Sequence, residues 1–403
     1  MKKIMILGGS ENQLPLIKSS KKLGYYVIVI DSRNDAPGVL LADRHVPINY
    51  NDYDAIKHVA VENRIDGIIT NSEPVVPIMT KVAEELNLMG NPMEGITTLM
   101  SKSKFRTLQQ KIGLYCPQNM MVSSVEEIER GLNKFTYPII IKPCECSGSR
   151  GSRKISYYDK DLISKSFQEC QEYSRNNMVS VEEFVEMYSL TTIEGEIFVY
   201  GDKILWDGLF STTRASYAPM VPMSYSMPLR LADDRMELIK DTVRRIIEET
   251  GIRFGEFNIE GYFTKSYEFF MVEINARQGG NHLPDFVFNN TGLDMTKLLV
   301  SLAVGDETYW DEVKECKFES KEGLRHVVFS DKDGTFKALD IKDNIKEYIV
   351  SSTMYARQGD KVNKVTNATD AVACIDMIFP ESKTCDLFYD KIEDYISVEL
   401  IED

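Results

Sequence analysis

The stretch 271-MVEINARQGGNH-282 spaces Glu273, Asn275 and Arg277 two residues apart. On an extended strand that spacing turns all three side chains to one side. Just upstream, 254-FGEFNIEGYF-263 has the same apolar-rich texture, so 254–263 and 267–275 read as the two arms of a hairpin. A pairing centred between Ser266 and Tyr267 sets Glu260 directly opposite Glu273, with Cβ atoms about 5 Å apart. Facing carboxylates repel unless something positive lies between them. Asn275 adds an amide oxygen, and three hard oxygen donors suit Mg²⁺ or Mn²⁺ sharing a site with phosphate oxygens. Arg277 suits bidentate contact with a phosphate or carboxylate. The flanks FFMV and FNI are too apolar for a freely solvated hairpin, so the row reads as a site rather than chance acids.

Reading outward, 234–250 is an amphipathic helix closed by Gly251, and 196–210 is a hairpin around Gly201-Asp202. Between them, 211–230 holds Pro219, Pro222, Pro228 and four serines and reads as a loop. Its Arg214 is a candidate substrate contact, and the segment is a candidate lid. VSVEEFVE (179–186) is a strand running into a loop, where Glu182 and Glu183 and the local backbone are placed to meet an adenine ring. YPIIIKP (137–143) is a strand whose end presents Lys142. The loop after it carries Ser147, Gly148 and Gly151, with Arg150 and Arg153. Glycines there let backbone N–H groups approach phosphate. Residues 97–112 read as a charged helix ending at Gly113, and Lys102 on it is a second candidate cation.

Residues 1–95 alternate strand and helix. KIMIL (3–7) stops at Gly8-Gly9, and YYVIVID (25–31) and DGIIT (66–70) are buried strands. Stretches 11–23, 53–63 and 74–87 are helical. This predicts an α/β unit with a parallel sheet. GGSENQ lacks the third glycine of a dinucleotide fingerprint, so an NAD site with Asp31 as its ribose acid, and with it a Rossmann oxidoreductase, is a distant third reading. After Gly305-Asp306 the last hundred residues read as short strands and turns.

The chain's 403 residues allow two or three domains, and 43% hydrophobic with 27% charged residues is ordinary globular composition. A formal charge of −15 argues against nucleic acid or an anionic membrane as partner. No apolar run reaches the roughly 18–20 residues of a membrane span, and no signal-peptide pattern is seen. Seven scattered cysteines and four histidines give no zinc spacing. Reduced thiols and a cytoplasmic location are expected.

In chain order, 102-KSKFRTLQQKIG-113, 137-YPIIIKPCECSGSRG-151, 182-EEFVE-186, Glu260 and 273-EINAR-277 together resemble the ATP-grasp superfamily of carboxylate–amine ligases and their carboxylase relatives. The resemblance covers about 1–305. It implies a pre-ATP-grasp α/β domain (1–95) and an ATP-grasp domain (96–305) whose two subdomains clamp ATP, the lid being about 115–186. A small, mostly β C-terminal domain (306–403) follows. It implies that Lys102 and Lys142 contact ATP phosphates and that 147–151 closes over them. Glu182, Glu183 and Val185 would meet the adenine, and Glu260, Glu273 and Asn275 would hold Mg²⁺ (or Mn²⁺). Arg277 would steady the transferring phosphoryl group. Many members bind the ribose through a Glu on the strand after the adenine hinge; Leu190 stands there, with Glu186 as a substitute. Biotin carboxylases carry a Glu before the histidine that follows their Arg. Here Asn281 precedes His282, and no A-M-K-M segment occurs. The form EINARQGGNHLPDF, with Gly279 and Gly280, looks more like amino-acid ligases.

The expected activity is ATP-dependent formation of an acyl phosphate from a small-molecule carboxylate, followed by attack of an amine. A homodimer is also expected. The alternatives are a carboxylating or carbamoyl-phosphate-type ATP-grasp enzyme and a non-catalytic nucleotide binder. Specificity is expected in the loops near Ser10-Glu11-Asn12 and Asn71-Ser72-Glu73, in 211–230, and near Gly279, Gly280 and Asn281.

Overall fold

The structure, a computed structural model, describes residues 1–144, 151–174, 177–189, 191–215 and 218–401. Four parallel strands, β1 (Lys3–Leu7), β2 (Tyr26–Ile30), β3 (Arg44–Val46) and β4 (Gly67–Ile69), form the first sheet in the order β3-β2-β1-β4. β1 and β2 are almost wholly buried, as their β-branched and aliphatic runs require when helices cover both faces. The short β3 carries RHV, with too little apolar character to be read as a strand in advance.

The predicted charged helix at 97–112 is two helices, Met93–Met100 and Lys102–Lys111. Ser101 stands between them in extended conformation, its side chain facing the Lys104 N–H. Apolar periodicity runs through the break, which is why the sequence conceals it. Gly113 takes the left-handed conformation expected of it, at φ +67°.

A second sheet, β5 (Asn119–Val122), β6 (Ile139–Pro143), β7 (Arg153–Ile155) and β8 (Val179–Glu183), has the order β5-β8-β6-β7 and carries Lys142 and Glu182. The third sheet has eight strands. β9 (Thr191–Tyr200), β10 (Lys203–Ala215), β11 (Ala218–Met227), β12 (Phe254–Phe263) and β13 (Phe269–Asn275) are joined by β14 (Glu322–Val328), β16 (Ile349–Met354) and β18 (Ala373–Phe379). Their order is β13-β12-β9-β10-β11-β14-β18-β16. β15 (Gly334–Ile341), β17 (Lys361–Val362) and β19 (Ile396–Leu400) make a small sheet of their own.

The described part of 211–227 is not a loop. It completes β10 and forms β11, inside the large sheet. Its prolines misled the reading. Pro222 pairs with Arg214 where the ladder shifts register on both sides, and an irregularity of that kind tolerates a residue with no N–H.

The large sheet has two unlike faces. Ile193, Ile197, Phe257, Ile259 and Ile274 pack against Ile239, Val243, Ile246 and Ile247 of the helix Asp233–Thr250. The alternate positions, Glu194 and Glu196 on β9, Glu256, Asn258 and Glu260 on β12, and Glu273 and Asn275 on β13, turn the other way. Among the described residues no helix is long and apolar enough to cross a membrane.

Candidate active site

Glu260 does pair with Glu273, and Asn258 with Asn275. The register shifts between Glu260 and Gly261, so the half of the hairpin nearer the turn pairs one residue away from the expected register. Across the next strand Glu260 pairs with Glu194. Three carboxylates therefore lie in one row, Glu273–Glu260–Glu194. The next row is Asn275–Asn258–Glu196. Glu194 and Glu196 were missed, although their spacing of two in TIEGE is the signal that had exposed Glu273 and Asn275.

Arg214 makes the row tolerable. Its Nη2 donates to Glu260 Oε1 at 2.7 Å and to Glu194 Oε1 at 3.0 Å. Burial pushes the Glu194 carboxyl up to about 8; the Glu260 charge adds to this and Arg214 opposes it. Burial also raises Glu260 against the pull of Arg214, and its 27% side-chain exposure to the cleft tempers the effect. Glu273 differs: burial pushes it up, but Lys102, the Asn275 hydrogen bond and Arg277 outweigh that and hold it below the usual range. Asn275 Nδ2 donates to Glu273 Oε1 at 2.8 Å. Lys102, Glu273 and Asn275 line one small cavity with Glu73.

Arg277 lies beyond the strand, since β13 ends at Asn275 and Arg277 N turns back to Asn275 O at 2.8 Å. Its guanidinium reaches Glu73 Oε2 in the N-terminal unit at 3.1 Å and Gln278 O at 2.9 Å. Gly279 N donates to Glu196 Oε2 at 3.0 Å. Gly280 O accepts from Leu283 N, and Asn281, in the left-handed region at φ 51°, gives its carbonyl to Arg325 Nη1. The turn after β13 is thus tied to the short helical turn Glu73–Val75 of the N-terminal unit, to β9 and to β14.

On the facing sheet, Lys142 Nζ donates to Glu182 Oε2 at 2.7 Å, and both side chains are buried. Arg106, missed in the sequence, lies at 3.3 Å from Glu182 Oε1 and also donates to Val272 O at 3.0 Å. Burial would raise Glu182, but Arg106 and Lys142 outweigh it and hold the carboxyl down to about 2. Burial pulls Lys142 down to about 8, Glu182 opposing. The Glu182 carboxylate is therefore engaged by Lys142 on one oxygen and by Arg106 on the other. Glu183 Oε1 accepts from Thr136 N at 2.7 Å, and Glu186 pairs with Lys265. Val185 is buried, and its carbonyl accepts from Tyr262 Oη at 3.1 Å. Gly151, at φ +71°, opens β7's approach; Ser147, Gly148 and Leu190 lie outside the described residues.

Among the described residues no three His, Cys, Asp or Glu side chains converge as a ready-made metal site. The donor set of two glutamates and an asparagine still fits a hard divalent cation, because Glu260 and Glu273 are cross-strand partners and Asn275 is two residues on.

Residues 1–92 match the ribonucleotide synthetase preATP-grasp domain, and residues 135–285 match the ATP-grasp domain. An uncharacterised protein of Sinorhizobium fredii is 23% identical over 322 residues, which are 75% of this chain but only 63% of that protein's length. A formate-dependent phosphoribosylglycinamide formyltransferase of Prochlorococcus marinus is 24% identical over 296 residues, covering 72% of this chain and 73% of its own. The crystal structure of an L-amino acid ligase from Bacillus licheniformis superimposes with a TM-score of 0.84 at 20% identity, covering 100% of this chain and 99% of that one. The two family domains, matched in order over 1–92 and 135–285, place the chain: it belongs to the ATP-grasp superfamily.

Proposed function

We propose that this chain phosphorylates a small-molecule carboxylate with ATP and joins the resulting acyl phosphate to an amine of amino-acid type. The observation that carries the reading is the cross-strand row Glu273–Glu260–Glu194, with Arg214 bridging two of its carboxylates, Lys102 and Arg277 favouring the charge on Glu273, and Lys142 on the facing sheet. A carboxylate oxygen attacks the γ-phosphorus, the bond to the β–γ bridging oxygen breaks, and ADP leaves. The amine then attacks the acyl carbon, phosphate departs, and the amine's proton goes to solvent. Phosphorylation supplies the leaving group that a bare carboxylate lacks.

Charge develops on the phosphoryl oxygens in the first step, so positioned cations do most of the work. Lys142 is pre-oriented by Glu182, and Arg277 is held beside Glu73. Glu260, Glu273 and Asn275 would hold Mg²⁺ (or Mn²⁺), which supplies charge neutralisation of the triphosphate when bound. No side-chain nucleophile is required.

The substrate's place is the N-terminal cavity of about 500 Å³ at the carboxyl ends of β1, β2 and β4, lined by Ser10, Asn12, Asp31, Arg33 and Asn71 among others. Glu73, which follows that cavity in the chain, joins it to Arg277. The amino-acid reading rests on EINARQGGNHLPDF and is supported by likeness to the ligase above. Cytoplasmic location and a homodimer belong to the same proposal. The test is ADP release from MgATP across a panel of amino acids and small carboxylates, with mass spectrometry of the product. An amide product supports the reading; ADP release with bicarbonate and no amine overturns it.

A further inference from the structure

Two buried carboxyl groups near the site have no part in the chemistry above. Glu196 on β9 is 0% exposed and Glu256 on β12 is 3% exposed. Glu196 accepts at both oxygens from fixed donors, Asn258 Nδ2 at 2.7 Å on Oε1 and Gly279 N at 3.0 Å on Oε2. Glu256 Oε2 accepts from Gln278 Nε2 at 2.7 Å, and the same nitrogen gives its other hydrogen to Thr296 Oγ1 at 2.9 Å. Glu256 Oε1 is left with no donor.

The two carboxyls lie on one face of the paired strands β9 and β12, both buried, and an ionised Glu256 would leave its orphan oxygen charged with no donor. A proton shared between the two groups removes that cost. Glu196 serves as acceptor to two N–H groups and carries the charge. The proton belongs on the orphan oxygen of Glu256, which it satisfies. Burial and the Glu196 charge both hold Glu256 well above the ordinary carboxylate range. The other charged groups that bear on the pair are Asp294, whose charge raises Glu256 further, and Arg277, whose charge favours ionised Glu196.

The main chain from Arg277 to Gly279 hangs from this pair. Gln278 is gripped through its side chain and Gly279 through its N–H, while Arg277 O accepts from Asn258 N at 3.2 Å. The grip has no slack, because a Cβ on Gly279 would lie 2.3 Å from Glu196 Oε1 and 2.7 Å from Leu283 Cδ1.

We propose that Glu196 and Glu256 are a proton-sharing pair of positioning residues that fix the 277–279 turn and thereby aim the Arg277 guanidinium at the γ-phosphoryl group of ATP. The proposal rests on the ATP-dependent reading of Arg277 given above. It differs from a plain core-filling role by an asymmetry. Glu256 acts as a hydrogen donor to Glu196, and glutamine can replace it. Glu196 acts only as an acceptor, and glutamine would set an N–H against the Asn258 amide or the Gly279 N–H.

The experiment compares calorimetric affinities for the Mg²⁺ complexes of ADP and of the non-hydrolysable analogue adenylyl imidodiphosphate. Their ratio reports the γ-phosphoryl contact, and Arg277→Met sets its floor. Glu196→Gln and Glu256→Ala are expected to lower the ratio about tenfold, toward that floor, with MgADP affinity unchanged. Glu256→Gln keeps the wild-type ratio. Should Glu196→Gln not fold, Gln278→Met tests the same grip and lowers the ratio in the same way. A wild-type ratio in Glu196→Gln or Gln278→Met, with normal MgADP binding, overturns the positioning role alone, as does a Glu256→Gln ratio as low as that of Glu256→Ala. Absence of MgADP binding by the wild-type protein overturns the nucleotide reading, and this proposal with it.

Discussion

Glu260 and Glu194 face each other across β12 and β9, and the Arg214 guanidinium bridges them, 2.7 Å from one carboxylate and 3.0 Å from the other. Arginine here neutralises the carboxylate that a divalent cation would claim. Guanidinium and metal ion compete for Glu260. Arg214→Met is therefore expected to tighten Mn²⁺ binding to the nucleotide-free protein about fivefold, read by Mn²⁺ electron paramagnetic resonance titration. Unchanged or weaker binding would show that Arg214 supports the cation instead of opposing it.

The pair Lys142–Glu182 yields a stability prediction. Removing one partner strands the other charge in a buried site, so Glu182→Ala is expected to cost about 3–5 kcal/mol in urea unfolding. The intact pair contributes much less than that at neutral pH, because the burial that pulls Lys142 down to about 8 offsets what Glu182 gains by its drop to about 2.

The same two groups give pH dependences of one sign in two separate windows. Glu182 titrates lower in the folded protein than its ordinary 4.5, so its stabilisation is complete above that value and is lost as pH falls from 4.5 toward 2. Lys142 also titrates lower when folded, so the unfolded chain binds the extra proton between about 8 and 10.5, and stability gains from Lys142 as pH rises through that window. Unfolding curves of wild type and Glu182→Gln at several pH values separate the two limbs. An acid limb over pH 2–4.5 that is unaffected by Glu182→Gln would contradict the assignment.

Gly279 has no room for a side chain. Alanine there would press its Cβ to 2.3 Å from Glu196 Oε1 and 2.9 Å from Asn258 Nδ2. Gly279→Ala is expected to lose about 1–3 kcal/mol of stability. Gly280→Ala, with nothing within 4 Å, is expected to be tolerated. Equal stability of the two variants would mean that the turn is not clamped as described.

How much of this was visible beforehand depended on what each residue's neighbours along the chain reveal. The period of two in EIN, set in an apolar strand, was enough to pair Glu260 with Glu273. It could not announce the register shift after Glu260, because that depends on how β12 and β13 fit together. β11 stayed hidden because Pro219, Pro222 and Pro228 are strong local signals for loops, while the strands that enclose it, β10 and β14, are separated by more than a hundred residues from each other. Glu196 and Glu256 looked like ordinary acids on strands. Only their meeting across β9 and β12, with Gln278 and Gly279 above them, gives them a task. Glu182 was read as an adenine contact from its place in EEFVE, whereas the buried Arg106 from a distant helix and Lys142 claim its carboxylate.

The central claim is that Glu260 and Glu273 clasp the divalent cation that accompanies the nucleotide, and titration of Mn²⁺ into the protein with ADP, followed by electron paramagnetic resonance, tests it most directly. The wild-type protein is expected to form a ternary complex, and Glu273→Gln to weaken it by about 100-fold while keeping its unfolding midpoint. A Glu273→Gln protein that binds Mn²⁺ and ADP as tightly as wild type would contradict the account.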